Sequence, residues 1–216
     1  NQGLFKMIRF KNLRKKYQKN VELIYKDYVI NPEDFIAITG PSGSGKSTLL
    51  DLISNLSSPT SGTIEIFGKE MSFYDENEKE RTNLRKFIGI MSPNCQLLSN
   101  LTIKENILLP CIINKLDLNS NKLYDISSSL NIENILDHLP EQLSTGQRQR
   151  ALLCRSIILT PQILIVDEPT ANLDEINTKE LVKYFEYLND KLKTTIIVAT
   201  HDKYVFDSAK KVYNLR

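Results

Sequence analysis

Gly40-Pro41-Ser42-Gly43-Ser44-Gly45-Lys46-Ser47-Thr48 decides how the rest of the chain is read. The stretch matches G-x-x-x-x-G-K-[ST] in full. Ahead of it, Phe35-Ile36-Ala37-Ile38-Thr39 is a nearly unbroken apolar run, the pattern of a buried strand. Behind it, Leu49, Leu50, Leu52, Ile53 and Leu56 follow at helical spacing. In such a strand–loop–helix setting, glycines let the backbone curl until successive N–H groups point inward at phosphate oxygens. The helix N-terminus adds partial positive charge. Lys46 supplies a full charge to the β- and γ-phosphates, and the Ser47 hydroxyl is a Mg²⁺ ligand. A Gly/Ser-rich turn that binds nothing is the bland alternative, and the complete motif in this context argues against it.

A second apolar run, Ile163-Leu164-Ile165-Val166, ends in Asp167-Glu168. The carboxyl ends of parallel strands face the ligand crevice in open α/β sheets. There Asp167 would support Mg²⁺ and Glu168 would orient or deprotonate an attacking water. An acidic pair after a strand is by itself a weak signal, often a helix cap. Beside a phosphate loop it becomes a strong one.

Outward from these two anchors the chain reads as alternating elements. Met7–Phe10 and Val21–Val29 look extended, and Thr63–Phe67 alternates as a strand does. The basic run Arg9–Lys19 is most simply a solvated hairpin. Asp75–Arg85 reads as an exposed helix and Phe87–Ile90 as another buried strand. From about Thr102 to Arg155 helical periodicity dominates and strand signals vanish. Strand patterns return at Ile163–Val166 and Thr195–Ala199, with the amphipathic helix Thr178–Leu192 between them. The expected fold class is α/β, with a mostly parallel sheet, an N-terminal antiparallel β subdomain and an inserted α-helical subdomain. The expected division is 1–35 and 60–70 for the β subdomain, 36–59, 71–92 and 156–216 for the nucleotide-binding core, and 93–155 for the helical part.

The bulk numbers agree with one ordinary globular domain: 216 residues, 41% hydrophobic and 25% charged. With 28 basic and 26 acidic residues the net charge is +2, which gives no support to a nucleic-acid partner. No apolar run approaches the ~18–20 residues of a membrane-spanning helix, and no basic-then-apolar secretory leader is apparent. The three cysteines, Cys95, Cys111 and Cys154, are odd in number and far apart, neither a disulfide framework nor a zinc pattern. They read as idle thiols in a reducing compartment.

Leu143-Ser144-Thr145-Gly146-Gln147, followed by Arg148-Gln149-Arg150, resembles the L-S-G-G-Q signature of ABC ATPases. Asp167-Glu168-Pro169-Thr170 and Ala171-Asn172-Leu173-Asp174 resemble the end of that family's Walker B strand and its D-loop. Ala199-Thr200-His201-Asp202 is similar to its switch-histidine strand end, and Tyr17 stands where the family stacks an aromatic on adenine. The motifs span essentially the whole chain in family order. The resemblance implies a P-loop NTPase (RecA-like) core and a Mg²⁺-dependent ATPase in which Glu168, His201 and Lys46 are catalytic. ATP would be held by Tyr17 and by Gly40, Pro41, Ser42, Gly43, Ser44, Gly45, Lys46, Ser47 and Thr48. It further implies a head-to-tail homodimer or pseudo-dimer. Ser144, Gly146 and Gln147 of each copy would cap the other copy's ATP, and Asp174 would link the two sites. Integral membrane permease subunits and a place on the cytoplasmic face of the membrane follow from the same resemblance. Leu98–Ile107, Asp137-His138-Leu139-Pro140 and Glu168–Asp174 are similar to the branch serving lipoprotein release, macrolide-type export and cell-division complexes. One compact cassette argues against the soluble relatives of translation and DNA repair.

Two positions depart from the pattern. The glutamine expected after Phe87–Ile90, which joins the Mg²⁺ shell, is replaced by Pro93, a residue without side-chain oxygen or backbone N–H. Gln96 is the candidate substitute. Thr145 replaces the first signature glycine, which is tolerable only if the backbone there takes ordinary helix-start angles. Asn114-Lys115-Leu116-Asp117 spells the guanine-selecting N-K-x-D, but no aspartate here has glycine three residues later, so a plain turn is expected. His138 is expected at the surface or as a cap, and Arg148 and Arg150 in structural ion pairs.

Overall fold

The computed structural model describes residues 7–17, 21–117, 120–171 and 173–215. In chain order its strands are β1 (Ile8–Lys16), β2 (Glu22–Ile24), β3 (Tyr28–Ile30), β4 (Phe35–Thr39), β5 (Ser61–Ile66), β6 (Lys69–Glu70), β7 (Ile88–Met91), β8 (Ile163–Asp167), β9 (Thr195–Ala199) and β10 (Lys211–Asn214). Its α-helices are α1 (Lys46–Ile53), α2 (Met71–Glu76), α3 (Glu78–Lys86), α4 (Ile103–Ile113), α5 (Ser120–Ser129), α6 (Thr145–Ile157), α7 (Glu175–Asp190) and α8 (Lys203–Ser208).

The parallel sheet runs β10-β4-β9-β8-β7. Its three inner strands, β4, β9 and β8, are short and almost wholly apolar because both faces are covered, while the edge strand β10 is mixed. Alternation along each strand divides the core in two. Phe35, Leu164, Val166, Ile196 and Val198 face α4 to α8, where the rings of Phe35 and Phe185 meet edge-on at 6.5 Å. Ile36, Ile38, Ile163, Ile165 and Ile197 face α1 to α3 and the antiparallel sheet. Truncating a fully buried ring such as Phe185 would cost about 3–5 kcal/mol.

The antiparallel sheet is organised on β1, which pairs with β2, β3 and β5. The expected extended stretch Val21–Val29 is therefore two short strands. The break between them matches an irregularity in β1 between Lys11 and Arg14, where Asn12 adopts a φ of 49° and its N–H donates to Asp27 Oδ1 at 2.7 Å. This also corrects the solvated-hairpin reading of Arg9–Lys19. Ile8, Phe10 and Leu13 are buried, Arg9 is paired with Glu65, and Lys15 Nζ donates to Ser57 Oγ at 2.8 Å. Lys19 lies outside the described residues.

Other departures concern boundaries. The expected helix Asp75–Arg85 is two helices broken at Asn77, whose φ of −122° and ψ of 91° are extended. Residues 71–76 pack under the antiparallel sheet, with Tyr74 Oη donating to Ile66 O at 3.0 Å. The short β6 and the edge strand β10 had no counterpart among the expected strands. The helical layer holds its loops through a buried amide. Asn106 Oδ1 accepts from Leu98 N at 2.7 Å, while Nδ2 donates to the carbonyls of Leu98, Leu101 and Thr102, each at 3.0 Å. Thr102 and Glu105 form a capping box at the start of α4. Asn114 caps the end of that helix and donates to Pro110 O at 2.8 Å, so the guanine-like tetrapeptide sits in a turn. His138 is exposed.

Candidate functional site

Register explains why three distant segments meet. Ile38 of β4 pairs with Ala199 of β9, and Ala199 pairs with Asp167 of β8. The strands end level with one another, β9 in the middle. Past those ends come the loop at 40–45, Thr200-His201 and Glu168. All three emerge on the carboxyl edge of the parallel sheet, where ligands of such folds bind.

In the loop, Gly45 is required by shape as well as by angle. Its φ is 95°, and a Cβ there would lie 2.7 Å from Leu23 Cδ1 and 2.8 Å from Tyr25 Oη. Tyr25 Oη donates to Gly45 O at 3.0 Å, pinning the antiparallel sheet to the loop. Burial pushes that phenol's pKa up. Lys46 begins α1 and is 8% exposed. Its ammonium donates to Gly40 O at 3.0 Å and lies 2.9 Å from His201 Nε2. The same Nε2 is 3.4 Å from Glu168 Oε1. One nitrogen cannot accept from Lys46 and donate to Glu168 at once. A hydrogen bond from the Lys46 ammonium uses Nε2 as acceptor, whereas one to Glu168 uses it as donor.

Glu168 stands in the left-handed region at a φ of 45°. That is costly for a side-chain-bearing residue, the more so before Pro169, which favours extended angles. The conformation is held by Glu168 N donating to Ala199 O at 2.9 Å and Ala171 N donating to Glu168 O at 3.3 Å.

Two buried oxygens here have no protein partner, Ser44 Oγ in the loop and Asp167 Oδ1 at the end of β8. An orphaned, buried carboxylate oxygen is expensive unless something else meets it. Phosphate and a hydrated Mg²⁺ would do so; the orphaned oxygen of Asp167 and the exposed hydroxyl of Ser47, the second residue of α1, are donors that suit that ion. A cavity of about 10 Å³ between α1 and β7 is lined by Asp51, Ser54, Ser92 and Asp167. Burial and the Asp167 charge raise the Asp51 pKa.

Gln96, the candidate replacement for the missing glutamine, is not brought here. Its side chain is exposed, and its carbonyl accepts from Arg155 Nη1 at 2.9 Å, with Cys95 O accepting from Nη2 at 3.0 Å. That clamp turns the segment toward α6. Ser92, one position before Pro93, lines the cavity with Asp51, Ser54 and Asp167, and its Oγ donates to Cys95 Sγ at 3.3 Å. Tyr17 is half exposed and its Oη is 3.0 Å from Thr48 Oγ1, above the first turn of α1. Pro41, Ser42 and Gly43 are exposed.

The signature residues stand apart. Ser144 caps α6 with extended angles (φ −65°, ψ 162°), accepting from Gln147 N at 3.3 Å, while Gln147 Oε1 accepts from Ser144 N at 2.9 Å. Thr145 is the first helical residue and has no positive φ, so a β-branched side chain is tolerated there. Among the described residues no hydrogen bond or ion pair joins Ser144–Gln147 to the phosphate loop. Asp174 caps α7, and the N–H of Asn177 followed by its side-chain amide holds the carboxyl below the usual range. Asn172 of the same loop lies outside the described residues. Arg150 bonds Asn177 and pairs with Glu180 at 3.4 Å; Arg148 is exposed.

Among known proteins, the family described as ABC transporter matches residues 26–171. The bacitracin export ATP-binding protein BceA of Halalkalibacterium halodurans is 38% identical over 197 residues, 88% of this chain and 78% of that one. The lipoprotein-releasing system ATP-binding protein LolD of Legionella pneumophila is 35% identical over 189 residues, 86% of this chain and 82% of that one. The dimeric post-hydrolysis structure of the ATP-binding cassette MJ0796, bound to ADP and Pi, superposes with a TM-score of 0.87 at 29% identity, covering 97% of this chain and 94% of that one.

Proposed function

The chain belongs to the ABC transporter family, and from that premise we propose that it is the ATP-binding and hydrolysing subunit that energises a separate membrane permease of the export or lipid-release type. The observation that carries this reading is the meeting of Lys46, Glu168 and His201 at the level ends of β4, β8 and β9. Among the described residues no helix is long and apolar enough to cross a membrane. The proposed station is the cytoplasmic face of that membrane.

In this reading the loop N–H groups and Lys46 bind the β- and γ-phosphates, and Tyr17 offers its ring to the adenine. Nucleotide phosphates draw the Lys46 ammonium away from His201 Nε2. His201 is then free to hold the γ-phosphate and the attacking water. Glu168 orients that water and takes its proton, the strained backbone fixing the carboxylate in advance. Ser47 and Asp167 would hold Mg²⁺, which would supply charge neutralisation on the phosphates. A second copy, docked head to tail, contributes Ser144, Gly146 and Gln147 at a helix N-terminus, and Asp174 at the seam. Closing on ATP and reopening after hydrolysis is the motion passed to the permease.

The second reading is a nucleotide-gated structural subunit of an envelope complex with weak turnover. Pro93 in place of the metal-shell glutamine favours it. Calorimetry with Mg-ATP and a phosphate-release assay, with and without the membrane partner, separate the two. The transporter reading expects binding, turnover, and an affinity about ten- to a hundred-fold lower in Lys46→Ala, from loss of charge-assisted hydrogen bonds to phosphate. Equal affinity in the Lys46→Ala chain would sink both readings, and binding without turnover in the complete complex would leave the second.

A further inference from the structure

Asn177 stands at the third helical position of α7, half-buried between two segments assigned to the partner's nucleotide. Its backbone N–H donates to Asp174 Oδ1 at 2.8 Å and its Nδ2 donates to Asp174 Oδ2 at 2.8 Å. Its Oδ1 accepts from Arg150 Nη2 on α6. The same amide is packed on the backbone of Gly146, where a Cβ would lie 2.9 Å from Asn177 Oδ1 and 3.1 Å from Cγ. Gly146 has no positive φ, so its missing side chain answers to this close approach and not to backbone angle. Arg150 is in turn held by Glu180 at 3.4 Å and donates to Leu130 O at 3.4 Å.

We infer that Asn177 is a positioning residue that ties the signature helix α6 to Asp174 within one chain, so that the two partner-facing segments move as one piece when a second copy docks. The inference rests on the dimeric reading given above. Its physical basis is the amide's simultaneous use of donor and acceptor. Asp174 consumes the N–H side and Arg150 the carbonyl side, so neither group can turn away without leaving a hydrogen bond unmade. An aliphatic residue of the same volume would fill the space and join nothing. A signature that closes without Asp174, or the reverse, forfeits part of the contact to the partner's ATP.

The test uses the full chain carrying Glu168→Gln, to hold ATP unhydrolysed, with Asn177→Leu or Asn177→Asp added. Asn177→Asp keeps the shape and the acceptor for Arg150 but sets a second carboxylate against Asp174. Three quantities are read: ATP affinity of the monomer, thermal stability, and ATP-driven dimerisation by light scattering. The expected result is monomer affinity within two-fold and dimerisation weakened about ten-fold, the equivalent of one hydrogen bond to a charged group. Arg150→Met should weaken dimerisation in the same direction, and its effect should not add to that of Asn177→Leu. Unchanged dimerisation in both Asn177 variants overturns the inference. So does a parallel fall in stability and monomer affinity, which would mark Asn177 as a fold-holding residue only. If the chain with Glu168→Gln alone fails to dimerise with ATP, the dimeric reading falls and this inference falls with it.

Discussion

The carboxyl edge of the parallel sheet and the tip of the helical layer both carry residues proposed to face nucleotide, but they are built differently. At the sheet edge the reactive groups already touch: Lys46 reaches His201, and His201 reaches Glu168. They are backed by level strand ends and a strained peptide at Glu168. At the helical tip, Ser144 and Gln147 satisfy one another in a capping box, and among the described residues no hydrogen bond or ion pair joins them to the sheet edge. In the proposed reading the first region is half of a site, preorganised within one chain, and the second is the other half, held on its own helix start for the phosphate of a second copy. Preorganisation costs strain and orphaned polar atoms, as Ser44 Oγ and Asp167 Oδ1 show. A helix cap costs nothing and is stable while it waits.

The largest effect that would sharpen this contrast is Glu168→Gln. It should lower phosphate release about 10²–10⁴-fold, the range of a general base. Nucleotide binding should persist, because Lys46 and the loop are untouched. Turnover within a few-fold of the unsubstituted chain would break the assignment of the sheet edge as the chemical half.

Ser144→Ala probes the other region. Loss of the cap should destabilise α6 by about 1 kcal/mol, read as a lower melting temperature. Monomer affinity for ATP should not move, since Ser144 serves a neighbour's phosphate. A large loss of monomer affinity would mean that the two regions share one site within a chain.

The smallest effect is a response to acid confined to helix starts. The carboxyls of Glu105 and Asp174 are held below their usual range by hydrogen bonds, first from the backbone N–H of Thr102 and of Asn177 respectively. A carboxyl whose folded pKa is depressed contributes stability that is present above the unfolded value of about 4 and lost as pH falls through the folded one. Fraying at the starts of α4 and α7 is therefore expected below about pH 4 and not between pH 5 and 8. Hydrogen exchange at those turns is the measurement. Earlier fraying, near neutral pH, would point to a histidine instead.

Much of this was legible in the linear chain because local physics carries it. The phosphate loop, the acidic pair after β8 and the helical character of the middle third follow from residue type and period. The capping box Ser144–Gln147 is equally local. What was not legible is of another kind. His201 and Lys46 are 155 residues apart, and only strand order makes them neighbours. The break between β2 and β3 answers to an irregularity in β1, a strand that pairs with both. Ser92, and not Gln96, lines the cavity by Asp167, and Arg155, about 60 residues later in the chain, holds the carbonyls of Cys95 and Gln96 against α6.

The chain alone determined the groups on offer: a glycine-rich turn with its lysine, an acidic pair at a strand end, a histidine and a signature helix, each written in a few contiguous residues. Tertiary structure decided which of these stand together. Register across β4, β9 and β8 sets the meeting of lysine, histidine and glutamate, and Gly146 lies against the Asn177 amide that also bonds Asp174. Those outcomes depend on packing between segments distant in sequence, and no local propensity encodes a neighbour that arrives more than a hundred residues later.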